Sequence, residues 1–249
     1  MILICLLIGI CTSVLIFAII LQIKKIIRNR EIISESTDLH RGTRSERNVI
    51  LTLRKFGIHP KAIFHDLYFK TNNDCYVQVD MVVPTKVGII VFEMKDYSGW
   101  LFGNGNQKKW TQLLNYGRDR YYFYNPIMQN SGHIKHIQKL CPQLERVPIY
   151  SVIVFSGSCI LKNVSNIPED VYLIYDYQLT NTLNQIFTNP PATYTDKIEI
   201  LNLLEQAKSN GANGEIVAQH IKNIRSIHGD GFGESHYRRI SLLKFLLRR

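Results

Sequence analysis

The chain reads as an α/β protein of the α+β kind: a mixed sheet flanked by helices, preceded by one transmembrane helix and followed by a helical C-terminal region. Three observations lead there. The chain opens on an apolar stretch, Met1 to Ile23, broken only by Thr12, Ser13 and Gln22. Residues 46 to 155 then alternate between the two hydrophobic periodicities in the order helix, three strands, helix, strand. Beyond Ser158 the strand signals thin and helical spacing takes over.

The opening stretch has about the ~20 residues that cross a bilayer. It lacks the basic n-region and small-residue cleavage site of a secretory signal. Lys24, Lys25, Arg28 and Arg30 follow it, so the positive-inside rule predicts a single-pass protein whose soluble domain is cytoplasmic. Residues 24–40 are expected to be a basic juxtamembrane segment and linker, with Glu31 to His40 a short polar tether. Val49, Ile50, Leu53 and Phe56 then recur at helical spacing, with Ser45 as the expected N-cap and Gly57 as the stop. Glu46 falls in the first turn, where the helix dipole favours a carboxylate. Ala62 to Phe69 reads as the first strand and Asn72-Asn73-Asp74 as a turn.

A hairpin follows. Tyr76 to Val83 is β-branched and apolar, Pro84 to Gly88 turns, and the return strand opens with Ile89-Ile90-Val91-Phe92. If Pro84 pairs with Ile89, Asp80 comes to lie opposite Glu93. Like charges placed there repel. A hard divalent cation would compensate, because magnesium accepts one or two carboxylates together with water and substrate phosphate oxygens. Lys95, two residues past Glu93, shares the face of both acids.

Trp100 to Tyr124 holds Trp100, Phe102, Trp110, Tyr116, Tyr121, Tyr122, Phe123 and Tyr124. Packing on short twisted strands is the preferred reading and base stacking the alternative. Gly103 to Asn106 is a hairpin turn. Asn125-Pro126 starts a helix, with Ile127, Ile134, Ile137 and Leu140 as its inner face. Gln129, His133 and His136 form a neighbouring stripe; the histidines read as solvated, with phosphate or metal contact as the alternative. Pro148 to Phe155 is a buried strand and Val171 to Tyr175 another, and helices are expected over Tyr177 to Ile186, Thr195 to Lys208 and Gly214 to Ile227. The last run, Tyr237 to Arg249, has the spacing of a basic amphipathic helix that could lie on a membrane, dock on protein or touch nucleic acid.

Of the net charge of +10, four units come from the cluster after the apolar stretch. Five more come from Arg238, Arg239, Lys244, Arg248 and Arg249, which leaves +1 for residues 31 to 234. The basic balance therefore says nothing about the body of the chain. Both clusters suit an anionic inner leaflet. The five cysteines, Cys5, Cys11, Cys75, Cys141 and Cys159, form no C-x-x-C pair, which argues for free thiols and against structural zinc.

An acid followed on the adjacent strand by acid-x-lysine is the signature of the PD-(D/E)XK nuclease superfamily. Glu46, Gln78-Val79-Asp80, Glu93-Met94-Lys95-Asp96-Tyr97-Ser98-Gly99, Trp110, Asn125-Pro126-Ile127-Met128-Gln129 and His133 stand around it. In that order and at those spacings they resemble the nuclease-related domain (NERD), roughly from Arg41 to Ser156. Ser45 stands where that family usually has glycine. The resemblance implies a NERD domain over residues 41–158 with residues 159–249 as an extension. It implies magnesium or manganese held by Asp80, Glu93 and the Met94 carbonyl. Lys95 would act on the attacking water, and Glu46 and Gln129 would complete the pocket. Gln78, Tyr97 and His133 would be substrate contacts. The implied activity is phosphodiester hydrolysis of nucleic acid, DNA in the first instance, at a membrane. A catalytically silent nucleic-acid- or partner-binding module, and a structural or signalling protein with ordinary surface charges, are the alternatives.

Overall fold

A computed structural model describes residues 2–228, so the basic run expected over Tyr237 to Arg249 lies outside the described residues. Helix α1 spans Ile2–Ser34 as one unit of 33 residues. Lys24 to Ser34 contains no glycine or proline, and nothing stops the helix at the end of the apolar stretch. The large apolar side chains described between Ile4 and Ile27 are exposed, and the helix is long and apolar enough to cross a bilayer.

The tether expected over Glu31 to His40 is corrected. Its first residues are helical and the rest is docked: Ile33, Ser36 and Thr37 are buried, and Arg54 Nη2 donates to Glu35 Oε2 at 2.6 Å. The polar composition that suggested a solvated linker serves hydrogen bonds to the domain instead. Helix α2, Arg44–Phe56, is capped by Thr43 and not by the expected Ser45. The Glu46 amide donates to Thr43 Oγ1 at 3.3 Å, and that hydroxyl donates to Glu46 Oε1 at 2.9 Å. Thr43 thus caps the helix through its side chain, and its hydroxyl proton in turn holds the Glu46 carboxylate.

Seven strands form one mixed sheet: β1 Phe64–Lys70, β2 Tyr76–Thr85, β3 Gly88–Asn104, β4 Lys109–Leu114, β5 Asp119–Tyr124, β6 Ile149–Ser165 and β7 Val171–Tyr175. The long parallel pair β3 and β6 is its spine. β7 adds parallel to β6. Along its other edge β3 has two partners in succession. β2 pairs with it from Met81↔Phe92 to Thr85↔Gly88, which includes the expected Pro84↔Ile89. β4 pairs with it only from Phe102↔Thr111 to Trp100↔Leu113. The antiparallel pairs β1–β2, the proximal wing, and β4–β5, the distal wing, thus stand on one spine, and Glu93 to Gly99 occupy the gap between them.

Helices cover both faces. α2 and α4 (Leu179–Ile186) pack on Met81, Val83, Ile90, Phe92, Met94, Val152 and Val154. α3 (Pro126–Leu140) and α5 (Lys197–Ala212) pack on the other face, over Phe64, Leu67, Val82, Ile89 and Val91. Each fully buried aliphatic or aromatic side chain of these layers contributes roughly 1.5–3 kcal/mol relative to exposure. Leu140 is a third correction. It is exposed, and Cys141 just beyond it takes the buried place as α3 runs out. The boundary expected after residue 158 falls inside β6, and the sheet continues to Tyr175 through β7. α5 also closes on β1, where Asn210 Nδ2 donates to the Tyr68 carbonyl at 2.9 Å. α6 (Gly214–His228) meets β2, with the His220 ring nitrogen Nδ1 2.7 Å from the Tyr76 carbonyl.

Candidate active site

The site lies in the gap between the wings. A backbone amide on a free strand edge needs a partner from elsewhere. That of Met94 donates to Asp80 Oδ2 at 2.8 Å. Asp80 can turn there because the pleat of the proximal wing changes parity. Phe64 and Val82 join one core cluster, yet Leu67, Phe69 and Val79 belong to it too. The shift falls at Asp66, held at φ 56° inside β1, and at Asp80 opposite it, a position the ladder skips. Asp66 is fixed by Arg41, whose Nε donates to Oδ2 at 3.0 Å and whose Nη2 donates to the Asp66 carbonyl at 2.6 Å. At the far side of the gap Gly99, at φ 75°, lets β4 close. A Cβ there would sit 2.3 Å from the Leu113 carbonyl oxygen.

Glu93 is buried. Lys95 Nζ donates to Glu93 Oε1 at 2.6 Å and to Gln129 Oε1, one turn into α3, at 3.0 Å. His133, one turn further on α3, is also buried and not on a solvated stripe as expected. Its Nδ1 lies 3.4 Å from Glu93 Oε2 but off hydrogen-bond geometry, so both buried atoms lack a hydrogen bond. Tyr97 is half-buried, with its ring 4.6 Å from that of Phe123. Gln78 is drawn aside, its Nε2 donating to Asp66 Oδ1 at 3.0 Å. The triad, Gln129 and His133 therefore converge. Gln78 sits in the neighbouring Arg41–Asp66 network, and Met94 meets the site through its amide.

Electrostatics follow from burial. Desolvation first, then the charges of Glu93 and Glu46, push the Asp80 carboxyl well above the ordinary range, and Lys95 and the Met94 amide only partly offset them. Burial disfavours the Lys95 ammonium, but Glu93, Tyr97 and Asp80 outweigh it and raise the lysine above its usual value. Burial also raises the Tyr97 phenol and lowers the His133 imidazole despite the pull of Glu93.

Four contributors were missed in the sequence. His65 is wholly buried, with Nε2 2.8 Å from Glu46 Oε2 and Nδ1 2.9 Å from Thr37 Oγ1. Thr37 belongs to the segment leaving α1, which ties the exit of that apolar helix to Glu46. Gly42 permits this contact, since a Cβ there would meet Glu46 Oε2 at 2.5 Å. Asn130 donates to the Val91 carbonyl and Ser151 Oγ, at 3.0 and 2.9 Å, and pins α3 to the sheet. A polar His65-Asp66 pair inside an apolar strand was the one sequence signal available for this cluster.

The donor set fits a hard cation. Glu93 Oε2 is a buried carboxylate oxygen without a hydrogen bond, beside a second carboxyl whose charge is disfavoured by desolvation and by the neighbouring acids. Among the described residues no cluster of three or more His, Cys, Asp or Glu gathers as a metal cage. Two carboxylates plus water and substrate oxygens is the arrangement magnesium takes, and zinc does not.

The family model of the nuclease-related domain matches residues 41–156. An uncharacterized protein of Bacillus anthracis is 27% identical over 214 residues, covering 86% of this chain and 97% of its own length. No solved structure matches the chain significantly.

Proposed function

We propose that this chain, whose residues 41–156 are a nuclease-related domain, is a metal-dependent nuclease held at the cytoplasmic face of a membrane by α1. The observation that supports it best is the pairing of half-buried Asp80 with buried Glu93 in a gap between strands, with Lys95 and Gln129 aimed into it. A like-charged pair out of water is costly unless it is used. Asp80 and Glu93 would hold magnesium or manganese, with the Met94 carbonyl as a further ligand. The ion, when bound, supplies positive charge against the phosphoryl oxygens and acidifies water.

Lys95 is a fixed cation in this arrangement. Glu93 keeps it charged and Gln129 fixes its direction, so it orients water and balances charge developing on the phosphodiester, acting as a donor. Glu46, braced by His65 and Thr43, adds negative potential beside Asp80 and so strengthens cation binding. His133, neutral through burial, together with Tyr97 borders the phosphate's approach. Gln78 would contribute through Asp66. DNA is the first substrate to test.

The runner-up is a catalytically silent nucleic-acid- or partner-binding module. The lack of a three-ligand cluster among the described residues favours it. Full-length protein in lipid nanodiscs, incubated with linear and circular DNA and with RNA under magnesium, manganese or chelator, separates the two. Metal-dependent cleavage lost in Asp80→Asn and Lys95→Ala supports the nuclease. Equal inertness in all three proteins, with nucleic acid still bound, selects the module.

A further inference from the structure

Directly opposed residues in a ladder share a face of the sheet. In the distal wing one face is packed: Leu101, Trp110 and Phe123 lie with Ile127 of α3. The other face is open, because α2 and α4 cover it only as far as Met94. One row of that open face runs Trp100, Leu113 and Arg120, and the next runs Phe102, Thr111 and Tyr122. Tyr124 stands opposite Lys109 in a third. Tyr122 and Tyr124 are 54% and 46% exposed. Lys162 reaches across from β6, its Nζ 5.6 Å from the Trp100 ring. A groove beside Phe102 is lined by the amides of Asn104, Gln107 and Asn163.

We infer that this open face is a binding platform for single-stranded nucleic acid, apart from the carboxylate site. The inference rests on the nuclease reading for the role of the bound polymer. Three features favour that occupant. Exposed rings on a sheet accept unstacked bases, and Tyr122 and Tyr124, two residues apart, are about 6.8 Å from each other, twice the rise of stacked bases, so bases bound there are splayed. Lys109, Arg120 and Lys162 supply positive charge and no carboxylate belongs to these rows. The amides beside Phe102 offer paired donor and acceptor groups to base edges, which an anionic lipid surface would not use.

The test uses full-length protein in phosphatidylcholine nanodiscs with chelator present, so that nothing is cleaved. Labelled single-stranded DNA, single-stranded RNA and duplex oligonucleotides are titrated by fluorescence anisotropy, and tryptophan emission is followed in parallel. Single strands should bind at least tenfold more tightly than duplex and quench the half-buried Trp100. Tyr122→Ala/Tyr124→Ala should lose at least tenfold in affinity, and the exposed Lys162→Glu should weaken binding while retaining the wild-type melting curve. Unchanged affinity in these variants, or no binding by the wild type, overturns the platform. So does a result in which phosphatidylserine vesicles bind through these tyrosines and oligonucleotides do not. If cleavage is never found but the tyrosine variants still lose binding, the nuclease reading fails and the platform stands.

Discussion

The two halves of β3 make an instructive pair. From Gly88 to Phe92 the strand is paired on both edges and covered on both faces, and its five residues are all buried. From Trp100 to Phe102 it is again paired on both edges, but only one face is covered. The first half carries no charged side chain. Beside the second, the exposed rings of Tyr122 and Tyr124 and the cations Lys109, Arg120 and Lys162 face water. The reactive residues sit between these halves, where the strand changes partners and a free edge lets a side chain take a backbone amide. A site placed there inherits a rigid spine on one edge and an entrance on the other.

The strongest way to break this comparison is Asp80→Asn. Metal-dependent cleavage should fall at least a hundredfold. The metal-free variant should nonetheless melt at a higher temperature, because the repulsion between Asp80 and buried Glu93 is relieved. Retention of a manganese-induced melting shift in this variant would show that the gap is not the charged site. Lys95→Ala comes next. It leaves Glu93 buried without its cation and should destabilise the protein by about 3 kcal/mol in urea titrations. A loss under ~1 kcal/mol, the scale of surface pairs, would mean that water reaches Glu93 freely.

Acidity sharpens the same contrast. The folded-state pKa of Asp80 is raised, so its contribution to stability is full below the ordinary aspartate value and is lost as pH climbs through the raised one. Metal-free wild type should therefore lose stability on going from acid towards neutral pH. Asp80→Asn should flatten that slope, and manganese should reverse it. Melting curves across pH with and without metal decide the matter, and parallel slopes in wild type and variant would refute it.

His65→Ala should cost about 1–3 kcal/mol by leaving Glu46 and Thr37 without their partner. Thr37→Val should cost less, since only one hydroxyl is lost. Both variants should weaken manganese binding by calorimetry if Glu46 supports the pair. The smallest effect is expected in the distal wing at Tyr116, 95% exposed and held at φ 58°. Tyr116→Gly should stabilise by up to about 1 kcal/mol, because glycine adopts that conformation without strain. Destabilisation would show that the ring has a partner.

Local signals made much of this legible in the chain. The hairpin register from Pro84↔Ile89 followed from turn chemistry and a β-branched run, and it carried Asp80, Glu93 and Lys95 to one place. Asn125-Pro126 announced α3 and with it Gln129. Thr43 was overlooked as the cap although Thr-x-x-Glu stood in view, because Ser45 lay nearer the apolar run. His133 read as solvated since helical spacing gives a stripe and cannot say what packs above it.

The sequence by itself determined the apolar helix, the order of helices and strands, the hairpin pairing and the acid-acid-lysine set, all of which depend on neighbours within a few residues. Only the tertiary structure decided that β3 would exchange β2 for β4 and leave an edge free at Met94. The same holds for the contact that brings Thr37, His65 and Glu46 together and for the aromatics that face water. Those outcomes depend on pairings and coverings between residues far apart in the chain, where burial and strand partners are set by the whole assembly and no local period records them.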